Sequence, residues 1–583
     1  SKIMKIKHLF GLAVIAAMTA SCSSNEDLGT AGPGTGTNEA GVGYATFTIN
    51  LPTTSGSTTS GARGTRAAGD PTMDEGDPTE YAVKSATALI FQKYGSDEGS
   101  YKFVESVTLP TAAADWSDDT TEGITTTSKK LVAKLTNVDT KNQYSVLVLL
   151  NNAKTGGVKV ELPTVGQSYN DWNNNVLTPS VEELAATGDF YMANAPLKVD
   201  ASPTTLVNID NSKIYPTEEK AKTLESAATV YVERGVAKIS VPKPENKTVK
   251  DKATKANTNS SVEFSNWALD ITNKKTYAVH NIDGLSTEFS DIWTTARFTG
   301  TNKRVYWGKD PNYSNKILKE TDKDAEREAE FNFINATSEI NKPFTESEYC
   351  LENTFNLENM YQGQTTRVIF KAKYTPKDDA DANLADEDGT FYTIGNMTTI
   401  LNTAKLKAAV DAAATSVLPS CVVDYTNLNK EGSHVITLED IKENSTSTTH
   451  IDGATTYGTK TGTQIVKDIN DKLGLKDGRA EAKVGINTYA KGVTYYIARV
   501  KHFGDALHWA SGEVYGAENG KYLGRYGMLR NNWYVLEVGN VYGPGYPGVP
   551  PVDPTLPDDE NEKYLSVSVK ILSWAKWSHS YDL

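Results

Sequence analysis

Two stretches near opposite ends of the chain alternate apolar and polar residues with the period of a strand that buries one face. In the first, Tyr44 to Leu51, Ala45, Phe47, Ile49 and Leu51 alternate with Tyr44, Thr46, Thr48 and Asn50, and Pro52 ends the run. In the second, within Lys563 to Leu583, Leu565, Val567, Val569 and Ile571 alternate with Ser566, Ser568 and Lys570. Both stand apart from other patterned segments. The first follows a Gly/Thr/Asn/Ser tract, 23–43, and precedes a Ser/Thr/Gly loop, 53–69. The second follows Pro544, Pro547, Pro550, Pro551, Pro554 and Pro557, which remove backbone donors and favour an extended polyproline-like run. At about 3.1 Å per residue this spacer, 543–562, predicts a final strand held away from its own domain and in need of a sheet to join.

Between these ends, strand patterns recur at short spacing. Ala86 to Gln92, Lys130 to Thr136, Tyr144 to Leu150 and Thr229 to Val241 form a first set. In the last of these, Arg234 and Lys238 interrupt Val230, Val232, Val236 and Ile239 and read as a polar face or a bulge. The polar, basic stretch from Lys243 to Ser261 reads as a domain boundary. A second set follows in Glu263 to Tyr277, Thr365 to Tyr374, Gly492 to Val500 and Trp533 to Val538. Short strands with Gly/Asn/Asp punctuation predict sandwiches rather than a parallel sheet. Two helices decorate the second set. Gln464 to Leu473 carries Ile465, Ile469 and Leu473 on one face with Gly474 as its C′ residue, and Thr403 to Val417 is Ala-rich and amphipathic. The expectation is an all-β chain of two sandwich domains, 67–242 and 262–542, with short helical insertions, a Pro-rich linker and a terminal strand, 563–583.

The N-terminal end reads as a targeting segment, 1–21. Lys5 and Lys7 precede an apolar run from Leu9 to Ala20, shorter than a resident transmembrane helix needs. Thr19-Ala20-Ser21-Cys22 resembles a bacterial lipobox, which would make Cys22 the lipidated first residue of the exported chain and of a propeptide, 22–66. A plain signal peptide with a chance cysteine is the alternative. In the 53–69 loop, Arg63 and Arg66 are the only cations, so Arg66-Ala67 reads as an Arg-specific cleavage site on mobile backbone, against an inert surface linker. Taken together, the ends suggest a mechanism. A cut at Arg66 releases the strand of Ala45, Phe47, Ile49 and Leu51, and the strand of Leu565, Val567, Val569 and Ile571 from a neighbouring copy fills the groove. Such a head-to-tail contact does not close on itself and generates a filament.

Composition narrows the alternatives. A formal net charge of −14 over 583 residues argues against nucleic acid as a partner. Tyr is abundant at 29 and Met scarce at 7, which leans towards β-structure. With three cysteines there is no disulfide framework, and Cys350 and Cys421 are either paired or two buried thiols. No catalytic constellation stands out, and no cofactor is called for. His502, Asp505 and His508 lack the spacing of a metal site, and Asp379, Asp381 and Asn383 begin like a calcium loop that Leu384 and Thr390 do not complete. The expectation is a protein that is not an enzyme.

The assembled segments resemble the Bacteroidetes fimbrillins, in particular the Mfa-type stalk subunit of type V pili. The resemblance rests on the order of Tyr231 to Lys238 (YVERGVAK), Phe370 to Lys377 (FKAKYTPK), Leu529 to Tyr534 (LRNNWY), Leu565 to Trp574 (LSVSVKILSW) and the closing Tyr581-Asp582-Leu583. It implies transthyretin-like sandwiches, export to the outer membrane as a lipoprotein through Cys22, and cleavage by an Arg-specific surface protease. Arg66-Ala67 is favoured over Arg63 because Ala67-Ala68-Gly69-Asp70 looks like the family's sequence after the cut. Polymerisation by C-terminal strand exchange would follow, with other copies of the chain and with anchor and tip subunits as partners, in a fimbrium serving adhesion and biofilm formation. Two other readings stand beside it: a monomeric glycan-binding β-sandwich lipoprotein whose last strand folds back on its own domain, and a tip or anchor subunit of the same pilus family.

Overall fold

The structure is a computed structural model that describes residues 36–51, 76–111, 117–121, 124–139, 141–198, 203–290, 305–313, 316–502, 509–516, 520–560 and 563–573. Its first sheet is built from β1 (Gly43–Asn50), β2 (Ala86–Gln92), β3 (Lys102–Leu109), β4 (Ser117–Thr121), β5 (Ile124–Leu135), β6 (Tyr144–Leu150), β7 (Met192–Asn194), β8 (Val207–Ile209) and β9 (Ala228–Arg234). The spatial order is β3-β2-β6-β7-β9-β1-β5-β4, with β8 paired to β6. The sheet curls until its two ends meet. Glu105 of β3 accepts hydrogen bonds from the backbone of Thr136 at 3.0 Å and Asn137 at 2.9 Å, just past β5. Inside lie Phe47, Ile49, Ile90, Leu131, Val146 and Val230, all buried. The runs of β-branched and aromatic residues seen in the sequence supply this core. A short helix, α1 (Glu218–Thr223), with Thr217 as its N-cap, precedes β9.

The second sandwich opens with β10 (Ala237–Ser240), β11 (Lys247–Lys250) and β12 (Asn257–Asp270) and continues with β13 (Glu348–Cys350) and β14 (Arg367–Thr375). After β14 an inserted module forms a three-stranded sheet from β15 (Phe391–Ile394), β16 (Gly432–His434) and β17 (Ile486–Tyr489), in the order β15-β17-β16. Its helices are α2 (Thr403–Val417) and α3 (Gly462–Leu473), and α3 ends at Gly474 with φ 68° as the sequence predicts. Leu406, Val410, Ile465 and Ile469 pack into a core belonging to this module. The sandwich is completed by β18 (Val493–Arg499), β19 (Asn532–Val541) and β20 (Leu565–Ser573). One layer runs β13-β10-β19-β20 and the other β11-β12-β14-β18, with a single pair, Val249 to Val541, linking them.

The chain crosses between sandwiches earlier than residue 242, the boundary predicted from the polar stretch. Backbone pairing passes from the first sheet to the second between Arg234 and Ala237, because Gly235 and Val236 connect β9 directly to β10. Arg234 and Lys238 are not a solvated face. The Lys238 ammonium lies 2.7 Å from Glu80 and 3.9 Å from the Trp533 ring centroid, and Arg234 Nε donates to the Glu80 carbonyl at 2.8 Å. Burial pulls the Arg234 guanidinium down to about 9. Cys350 and Cys421 are two buried free thiols.

A candidate site of strand exchange

β1 is an interior strand. It pairs antiparallel with β5 from Gly43–Leu135 to Asn50–Ser128, and parallel with β9 from Phe47–Ala228 to Asn50–Tyr231. Ala45, Phe47, Ile49 and Leu51 point into the core, the first three with no exposure at all. The opposite face is covered too: Thr46, Thr48 and Asn50 are 1%, 8% and 6% exposed. Thr46 Oγ1 donates to the carbonyl of Ala221 in α1 at 2.5 Å, Thr48 Oγ1 shares a 2.6 Å hydrogen bond with Ser226 Oγ, and Asn50 donates to the Val230 carbonyl at 3.3 Å. Taking β1 out would open a slot walled by β5, β9, the core and α1. An alternating sequence announces one buried face; the second depends on a segment that lies about 175 residues further on.

β20 occupies the opposite kind of position. It pairs only with β19 among the described residues, antiparallel from Asn532–Ser573 to Val541–Leu565. Leu565 is buried in the second core, and Val567 and Val569 are half-buried against it. It is therefore an outer strand that can leave without breaking open its sheet.

The Pro-rich segment is laid on the body rather than held away from it. Prolines offer carbonyl acceptors without amide donors, and the body presents a row of donors to them. Tyr496 OH reaches the Gly543 carbonyl at 2.8 Å and Tyr489 OH the Gly545 carbonyl at 3.1 Å. The Arg367 guanidinium donates to the Pro550 carbonyl at 2.7 Å while its Nε holds Asp270 at 2.8 Å. Near the end of this strap, buried Asp559 meets Arg525 Nε at 2.7 Å and accepts from the Trp509 backbone at 2.7 Å. Burial and the neighbouring Asp559 push Asp558 well above the usual carboxylate range. The chain is thus fastened through Glu560, whose carbonyl accepts from Arg499, before β20 begins.

Of the other residues singled out in the sequence, Cys22, Arg63, Arg66, Ala67, Asp505 and His508 lie outside the described residues. His502 is buried and bonded through Nδ1 to Tyr534 OH at 2.7 Å. Asp378 caps its own turn by accepting from the Ala380 and Ala382 backbones, both at 2.9 Å. No cluster of His, Cys, Asp and Glu among the described residues is placed to hold a metal ion.

Residues 487–580 match the family profile described as "Major fimbrial subunit protein type IV, Fimbrillin, C-terminal", a span that holds nearly all of β17, then β18, β19, the strap and β20. No curated protein matches the chain. Solved structures with a distant likeness include a cell adhesion protein from Parabacteroides distasonis, with 11% identity over 91% of this chain and 97% of that one at a TM-score of 0.36. A fimbrial assembly protein from the same organism gives 12% identity over 61% and 93% at 0.26. The tip fimbrial protein Mfa3 from Porphyromonas gingivalis, with a C-terminal truncation, gives 9% identity over 91% and 100% at 0.26. Over residues 487–580, its C-terminal region, this chain is similar to the fimbrillins, the family of major fimbrial subunit proteins.

Proposed function

We propose that this chain is a stalk subunit, exported as a lipoprotein through Cys22, cut after Arg66 and polymerised by exchange of its C-terminal strand. The observation that carries the reading is that one chain holds both an interior strand near its N-terminal side, β1, and an outer strand near its C-terminal side, β20. The loop that holds Arg63 and Arg66 directly follows β1 in sequence. Removal of an interior strand exposes unpaired backbone and an apolar slot, which is costly to leave open. An outer strand of like pattern on a second copy fills it. A tip subunit has no need of a strand to donate, and an anchor has no need of the cut. The chain's task is mechanical, and no reaction is assigned to it.

The pairing of β20 with β19 of its own domain favours a second reading, the monomeric glycan-binding surface lipoprotein, because it satisfies the last strand without a partner. In the stalk reading the same pairing is the resting state before assembly. Intact mass and N-terminal sequencing of protein sheared from the cell surface separate the two. High-mass species starting at Ala67 are expected; a lipid-bearing monomer starting at Cys22 would sink the stalk reading.

A further inference from the structure

The register of the exchange is written in the two strands. Aligned without a gap, Tyr44 to Leu51 (YATFTINL) and Tyr564 to Ile571 (YLSVSVKI) agree in residue class at nearly every position. Tyrosine stands on tyrosine, Ser566 on Thr46 and Ser568 on Thr48. On the core side Leu565, Val567, Val569 and Ile571 replace Ala45, Phe47, Ile49 and Leu51; the larger leucine offsets the smaller valine at the phenylalanine position, and such volume-conserving exchanges are the kind cores tolerate. The hydroxyl matches matter most. Thr46 and Thr48 are buried and bonded to Ala221 and Ser226, so an apolar residue in their place would strand those partners. A slip of one residue puts serines into the core, and the reverse strand direction puts Lys570 where Thr46 stands (if the apolar residues still face inward).

The strand that enters can also run further than the one that leaves. Pro52 follows Leu51 and has no amide to give, whereas Leu572 and Ser573 follow Ile571 and are part of β20. β5 extends back to Ile124, but β1 pairs it only as far as Ser128. β4 takes the opposite edge of β5 from Ser128 to Ile124, and among the described residues no strand pairs the edge on the β1 side between Ile124 and Thr127. At the other end, a Cβ at Gly43 would lie 2.6 Å from Ile214 Cγ2, so Lys563 does not continue the ladder backwards without a shift there.

Resting on the stalk reading, we propose that Tyr564–Ile571 of a second copy takes the places of Tyr44–Leu51 in the same direction, its serines replacing the buried threonines, and that Ile571–Ser573 extends along the β1 side of β5 at Thr125–Thr127. The match of Ser566 and Ser568 to Ala221 and Ser226 sets which strand fits this slot. The extension gives the incoming strand an amide at Leu572, where Pro52 of the propeptide has none.

Disulfide mapping in fibres of the cleaved full chain tests the register. Ser568→Cys together with Ser226→Cys is expected to give intermolecular ladders on non-reducing gels, and Thr48→Cys with Ser226→Cys in the uncleaved chain checks that the geometry admits the bond. Ladders from Ser566→Cys or Lys570→Cys with Ser226→Cys instead would overturn the register and leave strand exchange standing. Fibres in which none of the three pairs links would overturn exchange itself. For the extension, a chain ending at Ile571 is expected to form fibres that dissociate in warm detergent on the order of tenfold faster. Equal lifetimes would overturn it.

Discussion

At the scale of single residues, the junction between the sandwiches carries the chemistry most sensitive to solution conditions. His280 Nδ1 lies 2.9 Å from Glu233 of β9, and its Nε2 faces the Trp307 carbonyl at 3.1 Å. Burial alone would lower this imidazole, but the charges of Glu233 and Glu352 outweigh both burial and the opposing Arg530, and its pKa stands above the ordinary 6.5. A histidine raised in this way contributes stability that is fully present below its unfolded pKa and is lost as pH rises through its folded value. The thermal midpoint of the wild-type chain should therefore fall across that window, and His280→Gln should remove this component of the fall; parallel profiles for the two proteins would contradict it. Asp559 gives a second prediction. Asp559→Ala leaves Arg525 buried without its carboxylate, a change expected to cost about 3–5 kcal/mol in denaturant titration of the monomer.

At the scale of elements, the strap and the two exchangeable strands make different demands on a variant. Phe47→Ala should destabilise the uncleaved chain by about 3–5 kcal/mol, since Phe47 fills the first core. The same substitution should leave the heat resistance of assembled fibres unchanged, because β1 is gone from them in the stalk reading. Val567→Asp or Val569→Asp should do the reverse. Each sits half-buried on an outer strand of the monomer but would enter the closed slot as an unpaired charge. Circular dichroism of the monomer and fibre yield read the two effects separately, and normal fibre yield would count against exchange.

These elements also show what the sequence made legible. Period-2 alternation located β1 and β20, and the 3.6-residue period with Gly474 located α3 to its last turn. Hidden from it were the features set by distant partners. The cover that α1 lays over Thr46, the donors that receive the proline carbonyls, and the burial of Arg234 and Lys238 against Glu80 have no local signature. The polar stretch after Lys243 suggested a domain boundary, yet the chain had already changed sheets through Gly235. Polarity marks where a chain is solvated, which need not be where its pairing changes.

For the molecule as a whole, the strap fastens the chain to the body through Glu560 and leaves β20 as an outer strand, which in the stalk reading is the strand traded. The stalk reading ties that trade to the cut. A chain carrying both Arg63→Ala and Arg66→Ala is expected to keep its propeptide and stay monomeric, and the two single variants identify which arginine is used. Fibres of undiminished length from the double variant would separate assembly from proteolysis.

The direct passage of β9 into β10 has a mechanical consequence. In a fibre built by this exchange, the strand received from one neighbour lies parallel to β9; β9 continues through Gly235 and Val236 into β10, and β10 lies parallel to β19. From β19 the chain runs through the strap to the strand given to the next neighbour. Tension along the fibre would then travel from strand to adjacent strand, loading each ladder along its length so that its hydrogen bonds resist together rather than peeling one by one. The subunit would behave less like a bead on a string than like a length of lapped cable, strongest along the line in which a surface appendage is pulled.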